Sequence, residues 1–116
     1  MLINSNSGKK IIEKTKIANT PFSRFKGLMF EKKENFTYGL IFELEKEGKI
    51  NSSVHMLFVF FPIDIVYLNS QKIVVDKATL NSWILNYTPK KASKYFVELP
   101  KGIGDKIKLG EKLQWT

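Results

Sequence analysis

The sequence predicts a mainly β protein, a compact antiparallel β-sandwich or barrel with one short α-helix near residues 20–27. Seven or eight short runs rich in β-branched and aromatic residues are separated by turn residues, without a repeating strand–helix–strand pattern. Only one segment carries signals for both ends of a helix. The longest apolar run, residues 53–68, indicates a buried core element.

The first half of the chain contains one predicted strand and the helix. Residues 9–18 combine β-branched residues with partial alternation, which predicts one strand with a solvated face. Thr20 is a good N-cap, Pro21 suits the first helical position, and Gly27 suits a left-handed residue past a helix end. We therefore expect a helix of one to two turns.

The middle of the chain predicts strands at residues 38–44, 53–61, 63–68 and 72–78. The run 53–61 is predicted to be covered on both faces, because neither set of alternating residues is polar. Pro62 cannot donate a ladder hydrogen bond and marks a break. The last two strands are predicted to form an antiparallel hairpin.

Residues 79–94 predict a long loop, which is a candidate binding loop for that reason. Residues 95–99 read as a strand. Residues 103–115 predict a turn or short helical piece followed by a closing strand.

Composition limits the classes of function. A chain of 116 residues predicts one domain, residues 1–116, large enough to fold without a metal or disulfide. Having no cysteine excludes disulfides, zinc–thiolate sites, iron–sulfur clusters and thiol catalysis, and we expect no metal and no cofactor. The net charge of +8 favours an anionic partner, although lysines mixed with glutamates are typical of a solvated surface.

We see no targeting segment after Met1 and no apolar run long enough to span a bilayer. We therefore expect a cytoplasmic protein with no membrane partner. The oligomeric state and the identity of a small-molecule or protein partner stay open.

Arg24 and Asp64 are the first candidate site residues. Arg24 is the only arginine among many lysines, which suggests a place that needs a planar guanidinium beside a carboxylate. Asp64 shares strand parity with apolar residues and must find a partner, either Arg24 or a local cap over the Pro62 turn. Such a pair could be structural, anchor a ligand or act in catalysis.

His55 and Glu98 are the next candidates. Because His55 is the only histidine, a two-histidine metal site is impossible, and the side chain is either packed at a strand edge or works with one acid. Alternation places Glu98 on the opposite face from Val97 and Leu99, where solvent is its default environment. If that face lines a cleft together with His55 or Asp64, Glu98 would be a second acidic group of the site.

Three functions remain open. The first is a small domain that binds a partner or a small ligand, with the net charge favouring an anion, in a cleft near Arg24, His55, Asp64 and Glu98, bordered by Trp83 and Tyr87. The second is a hydrolase-like or metal-assisted enzyme that uses His55 with Asp64 or Glu98. The third is a nucleic-acid-binding domain that uses Lys90, Lys91 and Lys94, with Trp83 or Tyr87 as stacking surfaces.

Four motifs in order carry a resemblance to a known family: residues 24–29 (RFKGLM), 62–68 (PIDIVYL), 95–102 (YFVELPKG) and 107–111 (IKLGE). Together they resemble the domain of unknown function 192, also called uncharacterised protein family 0127. The resemblance implies a compact, mainly β domain without an established activity, in which Arg24, Asp64 and Glu98 match the family pattern. This chain departs from that pattern at Phe58 and Val59, where relatives often have Asn-Thr.

Overall fold

Two β-sheets pack face to face in the computed structural model, which describes residues 1–49, 52–56, 58–84 and 86–116, without the side chains of Pro21, Phe22 and Phe25. Over these residues the strands are β1 Leu2–Asn4, β2 Lys10–Ile12, β3 Thr15–Ala18, β4 Gly39–Gly48, β5 Ile63–Leu68, β6 Val74–Leu80, β7 Ser93–Pro100 and β8 Leu113–Trp115. The α-helix α1 spans Pro21–Lys26, and 3-10 helices span Lys33–Asn35 and Ile103–Lys106.

The smaller sheet has the strand order β2-β1-β8, and the larger has the order β3-β4-β7-β5-β6. The mainly β prediction is confirmed, and neither sheet closes into a barrel over the described residues. Pairs are antiparallel except β3 with β4, which run parallel. This exception arises because the chain crosses over between them through α1, as a parallel connection requires.

The two faces of the larger sheet are covered differently. One face, which includes Val97 and Leu99, packs against Leu2 and Leu113 of the smaller sheet. The opposite face carries rings such as Phe96 and is covered by α1 and by residues of the segments that connect the elements: Leu28, Val54, Met56, Val59, Phe61, Ile84 and Tyr87. Functional side chains on this second face therefore meet loops rather than strands.

The helix forms where the sequence predicts it. Thr20 Oγ1 accepts a hydrogen bond from Ser23 N–H at 3.1 Å, and Ser23 Oγ accepts one from Thr20 N–H at 3.0 Å. This reciprocal capping box satisfies donors at the helix start. Gly27 follows the helix with φ 47°, a conformation that favours glycine. Among the described residues, no helix is long and apolar enough to cross a membrane.

The predicted hairpin is also confirmed. Strands β5 and β6 pair antiparallel, and β5 begins immediately after Pro62. Asn69 Oδ1 accepts hydrogen bonds from Gln71 N–H at 3.0 Å and Ile73 N–H at 3.1 Å, which closes the turn. The predicted loop 79–94 is shorter than expected, because residues 79–80 belong to β6 and residues 93–94 belong to β7; residue 85 lies outside the described residues.

Two strand predictions are wrong. The run 9–18 is not one strand, because β2 joins the smaller sheet and β3 joins the larger. The run 53–61, in which Leu57 lies outside the described residues, forms an isolated bridge from Val54 to Tyr87 and no strand. Phe58 has φ 57°, which turns the backbone and ends any alternation. The prediction that this run is covered on both faces is also wrong, because Phe58 is 39% exposed and Phe60 is 58% exposed.

Candidate functional site

A small cavity of about 50 Å³ lies on the loop-covered face of the larger sheet, and we call it the Glu98 cavity. Phe42 of β4 and Phe96 of β7 stack at 4.3 Å between ring centroids and form part of its wall. Its polar lining comes from α1, the segment before β5, and β7: Arg24, Lys26, Ser53, His55 and Glu98. The fold thus brings Arg24, His55 and Glu98 together.

Glu98 is the most buried polar group of this cavity. It sits on the central strand β7, opposite Leu40 on one side and Ile65 on the other, and is 4% exposed. Its Oε1 atom has no hydrogen-bond partner among the described residues. Burial raises the pKa of its carboxyl group to about 8, so the group keeps its proton at neutral pH. The expectation that Glu98 faces solvent is wrong.

Two tyrosines surround Glu98 on the same face. Burial, and then the charge that Glu98 would carry, raise the pKa of Tyr67. Burial and the hydrogen bond to Glu31 raise the pKa of Tyr38, with a smaller contribution from Glu98. The Tyr67 hydroxyl is also buried without a hydrogen-bond partner among the described residues. Neither tyrosine carries a positive charge that would favour the ionised form of Glu98.

Arg24 is held against the cavity by backbone carbonyls. Its Nη1 donates to Asn19 O at 2.9 Å and to Glu43 O at 3.3 Å, and its Nη2 lies 3.9 Å from Glu45 Oε1. Because the Glu45 side chain is 83% exposed, this ion pair contributes little to stability. The carbonyls fix the guanidinium, and the expected pair with Asp64 does not form.

Asp64 lies outside the Glu98 cavity, on the opposite face of the sheet. Its Oδ2 accepts hydrogen bonds from Gly102 N–H at 2.8 Å and Gly104 N–H at 2.9 Å, and its Oδ1 accepts one from Thr79 Oγ1 at 2.7 Å. A Cβ atom on Gly104 would stand 2.8 Å from Oδ2, so only glycine fits there. Asp64 therefore caps the turn after β7 rather than the Pro62 turn.

Trp83 and Tyr87 also lie outside the cavity lining. Trp83 is 45% exposed and contacts Phe58 and Phe60 on the surface. Tyr87 stacks on Tyr67 at 6.0 Å between ring centroids, and its hydroxyl donates to Asp76. The two rings thus face different surroundings.

The three lysines predicted to bind nucleic acid, Lys90, Lys91 and Lys94, have different surroundings. Lys94 Nζ donates to the carbonyls of Leu44 and Glu45, so this ammonium is held against the middle of β4. Lys90 and Lys91 are exposed. Within the described residues, no group of three His, Asp or Glu side chains could hold a metal ion.

Sequence reasoning missed Lys26, Ser53 and the aromatic wall of the cavity. One signal pointed to the wall: Phe96 lies two residues before Glu98, so both side chains leave the strand on the same face. That signal does not tell which segment covers the face.

Comparison with known proteins agrees with the motifs. The DUF192 family model, described as "Uncharacterized ACR", matches residues 2–115. The chain belongs to the DUF192 family. It is 42% identical over 117 residues to the UPF0127 protein of Pyrococcus furiosus, covering 99% of this chain and 97% of that protein. It is 41% identical over 118 residues to the UPF0127 protein of Thermococcus kodakarensis, covering 100% of this chain and 73% of that protein.

The fold of this DUF192 chain is shared with a solved structure. A protein of unknown function from Novosphingobium aromaticivorans superposes with a TM-score of 0.81 at 22% identity, over 98% of this chain and 82% of that one. The resemblance predicted from the four motifs is therefore confirmed. Membership defines the fold, and the family carries no established activity.

Proposed function

We propose that this DUF192 chain binds a small anionic ligand whose charged group enters the Glu98 cavity. The observation that carries the proposal is the buried Oε1 of Glu98, which has no hydrogen-bond partner among the described residues. Buried polar atoms in folded proteins are almost always paired, because leaving one unpaired costs about 1–3 kcal/mol. A ligand oxygen would supply the missing partner.

The charge of the lining supports an anion. At neutral pH Glu98 is uncharged, while Arg24 and Lys26 are cations that line the same cavity. A protonated carboxyl group donates a hydrogen bond to an anionic oxygen, which a carboxylate cannot do. The guanidinium adds planar donors suited to carboxylate or phosphate groups.

The size of the cavity limits what enters it. A volume of about 50 Å³ holds only a few water-sized groups, because one water needs roughly 10–15 Å³ measured in this way. A carboxylate or phosphate group fits that space, and a whole nucleotide does not. The rest of a larger ligand would stay at the rim, near Met29 and Ser53.

The test is an NMR titration of the ¹⁵N-labelled protein with acetate and with inorganic phosphate, using acetamide as the neutral comparison. We expect the anions to shift the amide signals of Gly27 and Val54, and acetamide to leave them in place. Arg24→Met should weaken binding by about tenfold, since it removes one charge-assisted contact. Lys9→Met changes an exposed lysine away from the cavity and should bind like the parent protein.

Melting curves recorded on the same samples separate binding from folding. Arg24→Met is expected to melt somewhat earlier than the parent protein, because the carbonyls of Asn19 and Glu43 lose their donor, and also to bind the anion about tenfold more weakly. A variant that melts earlier but binds acetate normally would show that Arg24 only holds α1 to β4, and the proposed ligand site would be rejected. Equal shifts from acetate and acetamide would reject the anion preference.

A second candidate is acid–base catalysis by His55 and Glu98. It is favoured by the two residues lining one cavity and by the pKa of about 8 at Glu98, because general acids work best near the operating pH. Hydrolysis of activated esters by the parent protein, lost in Glu98→Gln and in His55→Asn, would support it. Turnover that survives both substitutions would exclude these residues as catalysts.

A further inference from the structure

Four exposed aromatic side chains form a surface cluster, which we call the aromatic cluster: Phe30, Phe58, Phe60 and Trp83. Their exposed fractions are 66%, 39%, 58% and 45%, in that order. Phe30 stacks on Phe58 with ring centroids 4.9 Å apart, and Trp83 meets the rings of Phe58 and Phe60 edge-on at 5.1 and 5.5 Å. Large rings grouped on a surface in this way commonly mark a binding site.

Three of these four residues have an unfavourable backbone conformation. Phe30, Phe58 and Trp83 have φ angles of 63°, 57° and 66°, in the left-handed region that bulky residues rarely adopt. Hydrogen bonds fix them there, from Phe30 N–H to Phe58 O at 2.8 Å and from Trp83 N–H to Met56 O at 3.0 Å. Strain combined with exposure of the same rings opposes stability, and such strain concentrates at functional sites.

The chain neighbours of the aromatic cluster line two cavities whose linings also contain cations. Val59, between Phe58 and Phe60, lines the Glu98 cavity with Arg24 and Lys26. Phe61, the residue after Phe60, lines a second cavity with Lys33 and Lys101. In the described part of the chain, Glu98 is the one acidic residue that lines either cavity. An anionic partner with flat rings would therefore match both features of this surface.

We propose that the aromatic cluster binds single-stranded nucleic acid, with bases stacked on its rings and phosphates near Lys33 and Lys101. Stacking on aromatic side chains beside positive charge is how proteins bind single strands without reading their sequence. This surface differs from the one expected from Lys90, Lys91, Lys94 and Tyr87. It is also independent of anion binding in the Glu98 cavity.

Other occupants fit the cluster less well. Four half-exposed rings offer roughly 400 Å² of apolar surface, which is about half of the 800 Å² that each partner contributes to a stable protein–protein interface. A bilayer surface does not need rings at fixed angles. Base stacking, in contrast, benefits from rigid rings that are already in place.

The experiment measures fluorescence anisotropy of a labelled oligothymidylate of about twelve nucleotides, a length in the range that single-strand sites cover. We expect Phe60→Ala and Phe30→Gly each to weaken binding by roughly tenfold. Phe30→Gly removes the ring and also relieves the left-handed strain, so its melting temperature should not fall. Leu109→Ala changes a side chain that is 62% exposed elsewhere and should bind like the parent protein.

Two further measurements identify the mode of binding. Stacking on Trp83 should quench tryptophan fluorescence, and the quenching should vanish in Trp83→Phe. Lys33→Met should reduce the dependence of affinity on salt, because it removes one phosphate contact.

Several outcomes would overturn the proposal. The first is that the oligonucleotide does not bind at low salt. The second is that the parent protein and Phe60→Ala bind it with equal affinity. The third is that the parent protein binds the single strand and the corresponding duplex with equal affinity. Binding of the parent protein to anionic phosphatidylglycerol vesicles, without binding of the oligonucleotide, would assign the cluster to a membrane surface instead.

Discussion

Asp64 and Glu98 are two buried carboxyl groups on neighbouring strands of one sheet, and their surroundings are opposite. Asp64 is 5% exposed and Glu98 is 4% exposed. Asp64 accepts three hydrogen bonds, from two backbone N–H groups and a hydroxyl. Glu98, on the other face, has an oxygen without a partner in the described part of the chain and a raised pKa.

The difference separates a carboxylate that holds the fold from a carboxyl group that is free to act. Two backbone N–H groups of the turn after β7 and the hydroxyl of Thr79 donate to Asp64, so its oxygens bind groups of the fold itself. Glu98 lowers stability as it stands, because burial without a partner is unfavourable for either protonation state. Such a group persists most readily when it serves a function, which is why we place the ligand at Glu98.

The largest expected effect concerns Glu98 and pH. Its folded pKa of about 8 lies above the ordinary value of 4.5, so the folded state holds a proton that the unfolded state releases. The parent protein therefore loses stability as pH rises from about 4.5 to about 8, by about 5 kcal/mol at most. Glu98→Gln cannot ionise and should gain stability over the parent protein across this range. Urea unfolding of both proteins at several pH values measures the difference.

Glu111→Gln provides a control of opposite sign. Hydrogen bonds from Lys108 N–H and the Asn4 side chain lower the pKa of Glu111, so its ionised form stabilises the fold above the ordinary pKa. This variant should be less stable than the parent protein near neutral pH, and the difference should shrink as pH falls. A stability gap between parent and Glu98→Gln that does not change with pH would show that Glu98 is ionised in the fold.

Asp64→Ala is the second prediction. It leaves the N–H groups of Gly102 and Gly104 without their acceptor, and we expect the free energy of unfolding to fall by about 3–4 kcal/mol. Chemical denaturation measures the loss. Asp105→Ala changes an exposed carboxylate in the same turn and should cost much less. Anion binding in the Glu98 cavity should survive in Asp64→Ala, and its loss would contradict the separation of the two sites.

Thr79→Val is the smallest expected change. It removes the single hydroxyl that donates to Asp64 Oδ1 and leaves the two backbone donors in place. We expect a loss of about 1 kcal/mol in the free energy of unfolding, the usual value of one such hydrogen bond. A loss as large as that of Asp64→Ala would mean that Thr79, rather than the turn after β7, provides most of the stabilisation.

The sequence by itself determined the local structure where short-range rules apply. Thr20, Pro21 and Gly27 define the ends of α1, because capping and backbone preferences involve neighbouring residues only. The alternating runs on either side of Asn69 define the β5–β6 hairpin for the same reason. The family motifs also led to the correct mainly β fold.

Only the tertiary structure decided which face of each strand is covered and by what. Strand parity placed Glu98 opposite Val97 and Leu99, but α1 and the segment around Val59 turn that face into a cavity wall rather than a solvated surface. Strand parity likewise placed Asp64 on an apolar face of the sheet. Its hydrogen-bond donors come from the turn around Gly102 and not from Arg24. These partners lie far apart in the chain, and a sequence pattern carries no information about which distant segments meet.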